Sequence, residues 1–189
     1  MTRKDGEVYV GSTGKEYTDD DGDIADTHRL FVKRITADGC VTHIDWRENY
    51  LAVREKVGIS FPGYMIHEAV EWSEVKQKWL FLPRRMSHEC YDDVKDERRA
   101  TNVLITASED FTELSMVRVG ELDVARGFST FKFVPGTEDN IAIGLKTVEI
   151  DDYTGTYVCV FDVVTGDVIM KDQWISGTKY EGIEFLEYN

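Results

Sequence analysis

At 189 residues, with 42% hydrophobic and 12% aromatic content, the chain is long enough for a sizeable core and has a globular composition. A formal net charge of −14 argues against a nucleic-acid binder, whose phosphate contacts need Lys and Arg, but leaves room for a small anion held through a metal ion. No run approaches the roughly 20 apolar residues of a membrane span, and "MTRKDGEVYV" lacks the apolar core of a cleavable signal.

Taken in chain order, the predicted elements are almost all short strands. β-branched and aromatic runs at 7–11, 29–35 and 40–44 come first, with turn residues between them. "DWRENYLAVREKVG" (45–58) breaks the pattern: Asp45 and Glu48 have capping-box spacing, Trp46, Tyr50, Val53 and Val57 share a helical face, and Gly58 fits a C-terminal stop. Strands are then expected at 63–73, 78–84, 102–108, 114–120, 128–134, 141–147, 156–163 and 168–174, and in the closing run "KYEGIEFLEYN" (179–189). "PGTEDN" (135–140) and "VTGD" (164–167) are hairpin turns. With no Pro- or Ser-rich linker, the expectation is a single all-β domain over 1–189 with one short inserted helix near 46–57.

Several motifs fail on their chemistry. "GSTGKEYT" (11–18) follows a strand, but no Ser or Thr follows Lys15 and no helix follows the loop, so it reads as a tight turn and not a phosphate loop. "YTDDDGDIADTH" (17–28) puts Tyr17 and His28 where a calcium-binding helix–loop–helix needs acidic ligands, which leaves a solvated acidic hairpin tip. Cys40, Cys90 and Cys159 form neither a zinc nor a disulfide pattern, and no histidine has metal spacing. His67 neighbours Glu68, so on a strand the two face opposite sides, and His67 is expected to be packed and hydrogen-bonded. Two arginine pairs, Arg84–Arg85 and Arg98–Arg99, flank an acidic loop. Their guanidinium forks suit phosphate oxygens, and a surface salt-bridge network is the alternative.

A weak repeat carries the sharpest expectation. The segments 63–84, 127–146 and 179–185 open alike and set Glu68, Ser129 and Glu181 at the heads of apolar strands, 61 and 52 residues apart. Units of this size with about four strands each are the mark of a β-propeller, whose innermost strands line a central channel. One oxygen-bearing side chain per blade would converge there as a cage for a hard cation, and Ca²⁺ takes roughly 6 to 8 oxygens. The alternative is that Glu68 and Glu181 are ordinary strand-end carboxylates facing solvent.

Together, "VGSTGKEYT", "PGYMIHEAVEWS", "WLFLPRR", "DERRATN", "GFSTFKFVPGTEDNIAIGLK" and "KYEGIEF" resemble the calcium-activated nucleotidases, the calcium-dependent apyrases, over essentially the whole chain. The resemblance implies a five-bladed β-propeller with Ca²⁺ in its channel, held in part by Glu68, Ser129 and Glu181. It implies hydrolysis of nucleoside di- and triphosphates (UDP, GDP and ADP class) to monophosphate and phosphate, in a secreted or ER–Golgi luminal protein. Arg84, Arg85 and Lys15 are the expected substrate-binding residues, and no general base is named. The family's first two blades have no counterpart, so the expectation is about three blades, the C-terminal part of the propeller. Two other readings stand beside the enzyme: an inactive truncated propeller acting as a binding module, and an interaction domain pairing through open strand edges, for instance as a homodimer.

Overall fold

Short β-branched and aromatic runs separated by Gly and Asp turns favour antiparallel pairing between neighbours in sequence. The computed structural model describes residues 1–19 and 22–186, and it consists mostly of antiparallel strands with few helices. Strands β1 (Thr2–Lys4) and β2 (Glu7–Val10) are followed by a small hairpin, β3 (Tyr17–Thr18) and β4 (Ile24–Asp26), and then by β5 (Phe31–Ile35) and β6 (Val41–Asp45). Sheet one has the order β1-β2-β5-β6. Helix α1 (Arg47–Lys56) leads to β7 (Tyr64–Ile66), β8 (Ala69–Ser73), β9 (Lys78–Leu82) and β10 (Arg85–Ser87), with β7 and β10 paired. After the four-residue helix α2 (Asp93–Asp96), β11 (Val103–Ser108) and β12 (Leu114–Arg118) complete sheet two, β8-β9-β11-β12. Sheet three is the meander β13 (Gly127–Phe133), β14 (Ile141–Ile150), β15 (Tyr153–Asp162) and β16 (Val168–Ser176).

Strand alternation explains how the sheets are held together. On β9, Trp79 and Phe81 enter one core cluster, while Leu80 and Leu82 enter the other. On β11, Val103, Ile105 and Ala107 join the first and Leu104 the second. The two inner strands of sheet two are therefore apolar on both faces, which is why β9 and β11 read as mostly hydrophobic runs. The first cluster is aromatic, with Trp46 edge-on to Trp79 at 4.8 Å and to Phe111 at 5.4 Å. The second stacks Phe128 and Phe131 against Phe161. Each such buried side chain contributes roughly 1.5–3 kcal/mol. The first strands of the sheets are neighbours: β1 and β13 both contact β8. There Thr2 Oγ1 donates to Glu71 Oε2 at 2.6 Å, and Lys132 Nζ lies 2.9 Å from Glu71 Oε1, which offsets the burial that raises the Glu71 pKa.

Helix α1 lies where its pattern put it, but its N-cap is Trp46, which makes no side-chain cap bond, so the expected Asp45–Glu48 capping box is not what starts it. Trp46, Tyr50 and Val53 are buried, Asp45 Oδ1 accepts from the Arg47 N–H at 2.9 Å, and Gly58 ends the helix at φ +78°. Gly58 N–H donates to Glu55 O and Ile59 N–H to Arg54 O, the paired bonds of a glycine C-cap. Several elements differ from expectation. The run 63–73 splits at His67–Glu68, because the His67 N–H turns away to Thr13 O at 2.8 Å. Strands β1 and β10 and helix α2 lacked a clear signal. Residues 179–186 of the closing run carry no strand, and Glu187–Asn189 lie outside the described residues. The acidic tip falls on the β3–β4 hairpin, with Asp20 and Asp21 also outside the described residues. Cys40 and Cys90 are exposed free thiols and Cys159 is a buried one. Among the described residues no helix is long and apolar enough to cross a membrane.

Candidate functional site

Glu68 stands at the break between β7 and β8, where the chain changes pairing partner. Ser129 occupies a β-bulge: Phe128 pairs with Lys146 and Thr130 with Leu145, so Ser129 is the inserted residue, re-aimed out of the ladder. It is 2% exposed, and its hydroxyl donates to Tyr180 O at 3.0 Å. Tyr180 N–H in turn donates to Thr156 Oγ1 at 3.1 Å, and Thr156 Oγ1 donates to Thr178 O at 2.6 Å. Side chains from β13 and β15 therefore pin residues 178–180, which carry Glu181 to its place without a strand. Glu68, Ser129 and Glu181 all line one cavity of about 320 Å³, together with Thr13 and His67.

The surrounding charges form a chain. Arg84 Nη1 donates to Glu68 Oε2 at 3.2 Å and to Thr147 Oγ1, while Nη2 donates to Glu149 Oε2 at 2.8 Å. Lys179 Nζ lies 3.2 Å from Glu149 and 3.1 Å from Glu181. Burial pushes the Glu68 carboxyl above its ordinary range, with Arg84 and Lys179 opposing and Glu181 assisting. Gly127, where β13 begins, runs hard against Arg84: a Cβ there would sit 2.6 Å from Arg84 Cγ and 2.7 Å from its carbonyl oxygen. Arg85 is buried beside Asp96, with Nε 3.8 Å from Oδ2, and its Nη1 has no partner.

Glu68 is shared with an adjoining pocket of about 260 Å³ that Arg84 and Arg85 also line. Two arginines there face five carboxylates, those of Glu68, Asp93, Asp96, Glu97 and Glu149, so the pocket is net negative. A phosphate entering it would meet repulsion unless a cation accompanied it. Lys15 is not in this group. It lines a separate pocket against Tyr64 and Tyr91, and burial lowers its pKa.

Glu149, Thr147 and Lys179 were not singled out from sequence. β14 continues three residues past its expected end, which brings Glu149 to Arg84, and Lys179 is the first residue of the closing repeat. His67 is packed as expected, 5.1 Å from Tyr50 and 5.4 Å from Phe81, but neither ring nitrogen has a hydrogen-bond partner, and burial takes its pKa down to about 3.

Two carboxylates and a hydroxyl on one cavity wall are hard oxygen donors, the type that suits Ca²⁺. The buried hydroxyl of Thr13 on the same cavity lacks a partner and is a fourth oxygen of that type. The donor chemistry fits calcium, although the number falls short of a full shell. Among the described residues no three His, Cys, Asp or Glu side chains are grouped as a metal cluster.

A family model described as Apyrase matches residues 1–186. The sequence is 46% identical to apyrase apy-1 of Caenorhabditis elegans over 188 residues, covering 98% of this chain and 53% of that protein. It is 45% identical to an apyrase of Cimex lectularius, covering 98% and 51%. It is 43% identical to soluble calcium-activated nucleotidase 1 of Rattus norvegicus, covering 97% and 45%. The chain spans about half the length of these relatives.

Proposed function

This chain belongs to the apyrase family, and from that premise we propose that it acts in calcium-dependent hydrolysis of nucleoside di- and triphosphates to monophosphate and phosphate. The observation that carries the reading is the meeting of Glu68, Ser129 and Glu181, far apart in sequence, on one cavity that adjoins the Arg84 pocket. The calcium in the rat relative's name supports the choice of ion. The three sheets are read as blades of a propeller, supported by the contacts of β1 and β13 with β8.

In this reading Glu68, Ser129 and Glu181 hold the ion, which when bound would neutralise charge on the phosphate oxygens and orient water. Arg84 is fixed by Glu68, Thr147 and Glu149, so its fork is already ordered when a phosphate oxygen replaces one of the carboxylates. Arg85 brings an Nη1 donor that has no protein partner. With only a few protein oxygens the ion would be held where free calcium is plentiful, which fits extracellular fluid or the secretory lumen.

Phosphate release from UDP, GDP and ADP, measured with CaCl₂, MgCl₂ or chelator, tests the reading. Release is expected with calcium and should vanish in Glu181→Ala. A folded sample that releases no phosphate under any of these conditions would reject hydrolysis for this chain and leave a binding module.

A further inference from the structure

Lys179 stands between the two pockets that the proposed reaction needs. Its ammonium lies 3.1 Å from Glu181 Oε1 on the oxygen-lined cavity and 3.2 Å from Glu149 Oε2 on the arginine pocket. Glu149 Oε2 is the same oxygen that Arg84 Nη2 reaches at 2.8 Å. The Glu68 carboxylate also feels the Lys179 charge. A lysine is thus set among the carboxylates that suit a metal ion, where like charge opposes that ion.

A role as a structural pin does not account for this placement. The backbone on either side of Lys179 is already fixed, by the Thr156 hydroxyl at Thr178 O and the Ser129 hydroxyl at Tyr180 O. The ion pairs are partly exposed, with the Glu181 side chain 74% and the Glu149 side chain 46% open to solvent, and such pairs stabilise a fold little. What the ammonium controls is Glu181. It claims one oxygen of that carboxylate and keeps a second partner in Glu149 if the oxygen is taken.

Glu181 therefore has two claimants, the Lys179 ammonium and a cation in the cavity. The ammonium is tethered two residues away on a pinned segment, so it acts at a high effective concentration. A free monovalent ion carries no more charge than the ammonium and also loses its translational freedom, so it does not displace it. A divalent ion brings twice the charge to Glu181 and Glu68. The ammonium can then withdraw to Glu149 and is not left unpaired.

We propose that Lys179 is a specificity-determining residue of the metal site, a tethered monovalent cation that a divalent ion displaces from Glu181 and that sodium or potassium does not. The inference rests on the reading of Glu68, Ser129 and Glu181 as that site. It adds what excludes monovalent ions and what limits the affinity for calcium.

Calorimetric titration with CaCl₂ reads the site without turnover. Lys179→Met removes the competing charge and nearly keeps the side-chain length, and should bind calcium roughly fivefold tighter than wild type. Lys179→Arg keeps the charge and should bind like wild type. Sodium chloride, set against tetramethylammonium chloride at matched ionic strength, should leave the calcium affinity of wild type unchanged and weaken that of Lys179→Met. Glu149→Gln takes away the place to which the ammonium withdraws and should weaken calcium binding, which keeps the test open if Lys179→Met does not fold. The proposal is overturned, with the metal site left standing, if Lys179→Met binds calcium no tighter than wild type or if Lys179→Arg binds as tightly as Lys179→Met. A sodium effect as large in wild type as in Lys179→Met overturns it too, as does unweakened binding in Glu149→Gln. No calcium binding by folded wild type overturns the metal-site reading and the proposal together.

Discussion

The His67 imidazole sits between Tyr50 and Phe81 with both nitrogens unpartnered, and burial holds its pKa to about 3 against an ordinary 6.5. In the unfolded chain it takes a proton below about 6.5, whereas in the folded protein it stays neutral until about 3. The unfolded state therefore binds more protons across that window. Stability conferred by the neutral ring is present above 6.5 and falls as the pH drops toward 3, by about 1.4 kcal/mol per unit. His67→Phe keeps the ring packing and removes the titration. Between pH 7 and 5, wild type should lose about 2 kcal/mol more than the variant in urea unfolding. Equal losses would mean that the imidazole is partnered by water or another group. His67 is packed as expected, but not through strand alternation: the chain breaks between β7 and β8 at His67–Glu68, and both residues line one cavity. Its missing hydrogen bonds were not legible, because they depend on what Tyr50, Phe81 and the 11–14 loop bring from elsewhere.

At the scale of elements, two of the three hairpin turns of sheet three give a controlled comparison. Gly136 and Gly166 have nearly the same backbone, φ +78° and +79°. A Cβ at Gly136 meets nothing within 4 Å, whereas at Gly166 it would sit 2.1 Å from Arg118 O. Gly166 also accepts the Gly120 N–H through its carbonyl at 3.1 Å, so this turn fastens sheet three to the end of β12. Gly136→Ala should cost about 1–2 kcal/mol, the left-handed penalty alone. Gly166→Ala should cost clearly more, because the β12 backbone must also move. Urea unfolding of both variants measures the difference, and equal costs would show that the β12–turn contact contributes little. Both turns were readable from Gly among Asp, Asn and Thr, as was each strand with strong apolar content. The β7–β8 break was not readable, since it follows from a partner, Thr13 O, distant in sequence. The expected closing strand is replaced by a segment tied through Ser129 and Thr156 hydroxyls, a form of anchoring that leaves no periodicity.

Across the whole molecule, the candidate metal site depends on separate parts of the chain. Glu68 immediately precedes the first strand of sheet two, Ser129 is a bulge in sheet three, Glu181 follows the segment tied to sheet three, and Thr13 comes from the loop after β2 of sheet one. The repeat found Glu68, Ser129 and Glu181 because one oxygen recurred per unit. It gave no sign of Glu149 and Lys179, because ion pairs have no period, and it was the family resemblance that grouped Lys15 with the arginines, which line a different pocket. A cation drawing on these elements would bind the folded chain and not the unfolded one, and should raise the melting temperature through linkage. At about a hundred times the dissociation constant the gain is about 2.7 kcal/mol. Glu181→Ala is the informative variant, since its side chain is 74% exposed and its removal should spare the calcium-free fold. Ser129→Ala is less clean, because it also breaks the bond to Tyr180 O. Calcium should therefore raise the melting temperature of wild type and do so much less in Glu181→Ala, with magnesium at matched ionic strength as the control for screening. Equal rises in wild type and variant, or equal rises with the two metals, would reduce calcium to a screening ion and remove these residues from a shared site.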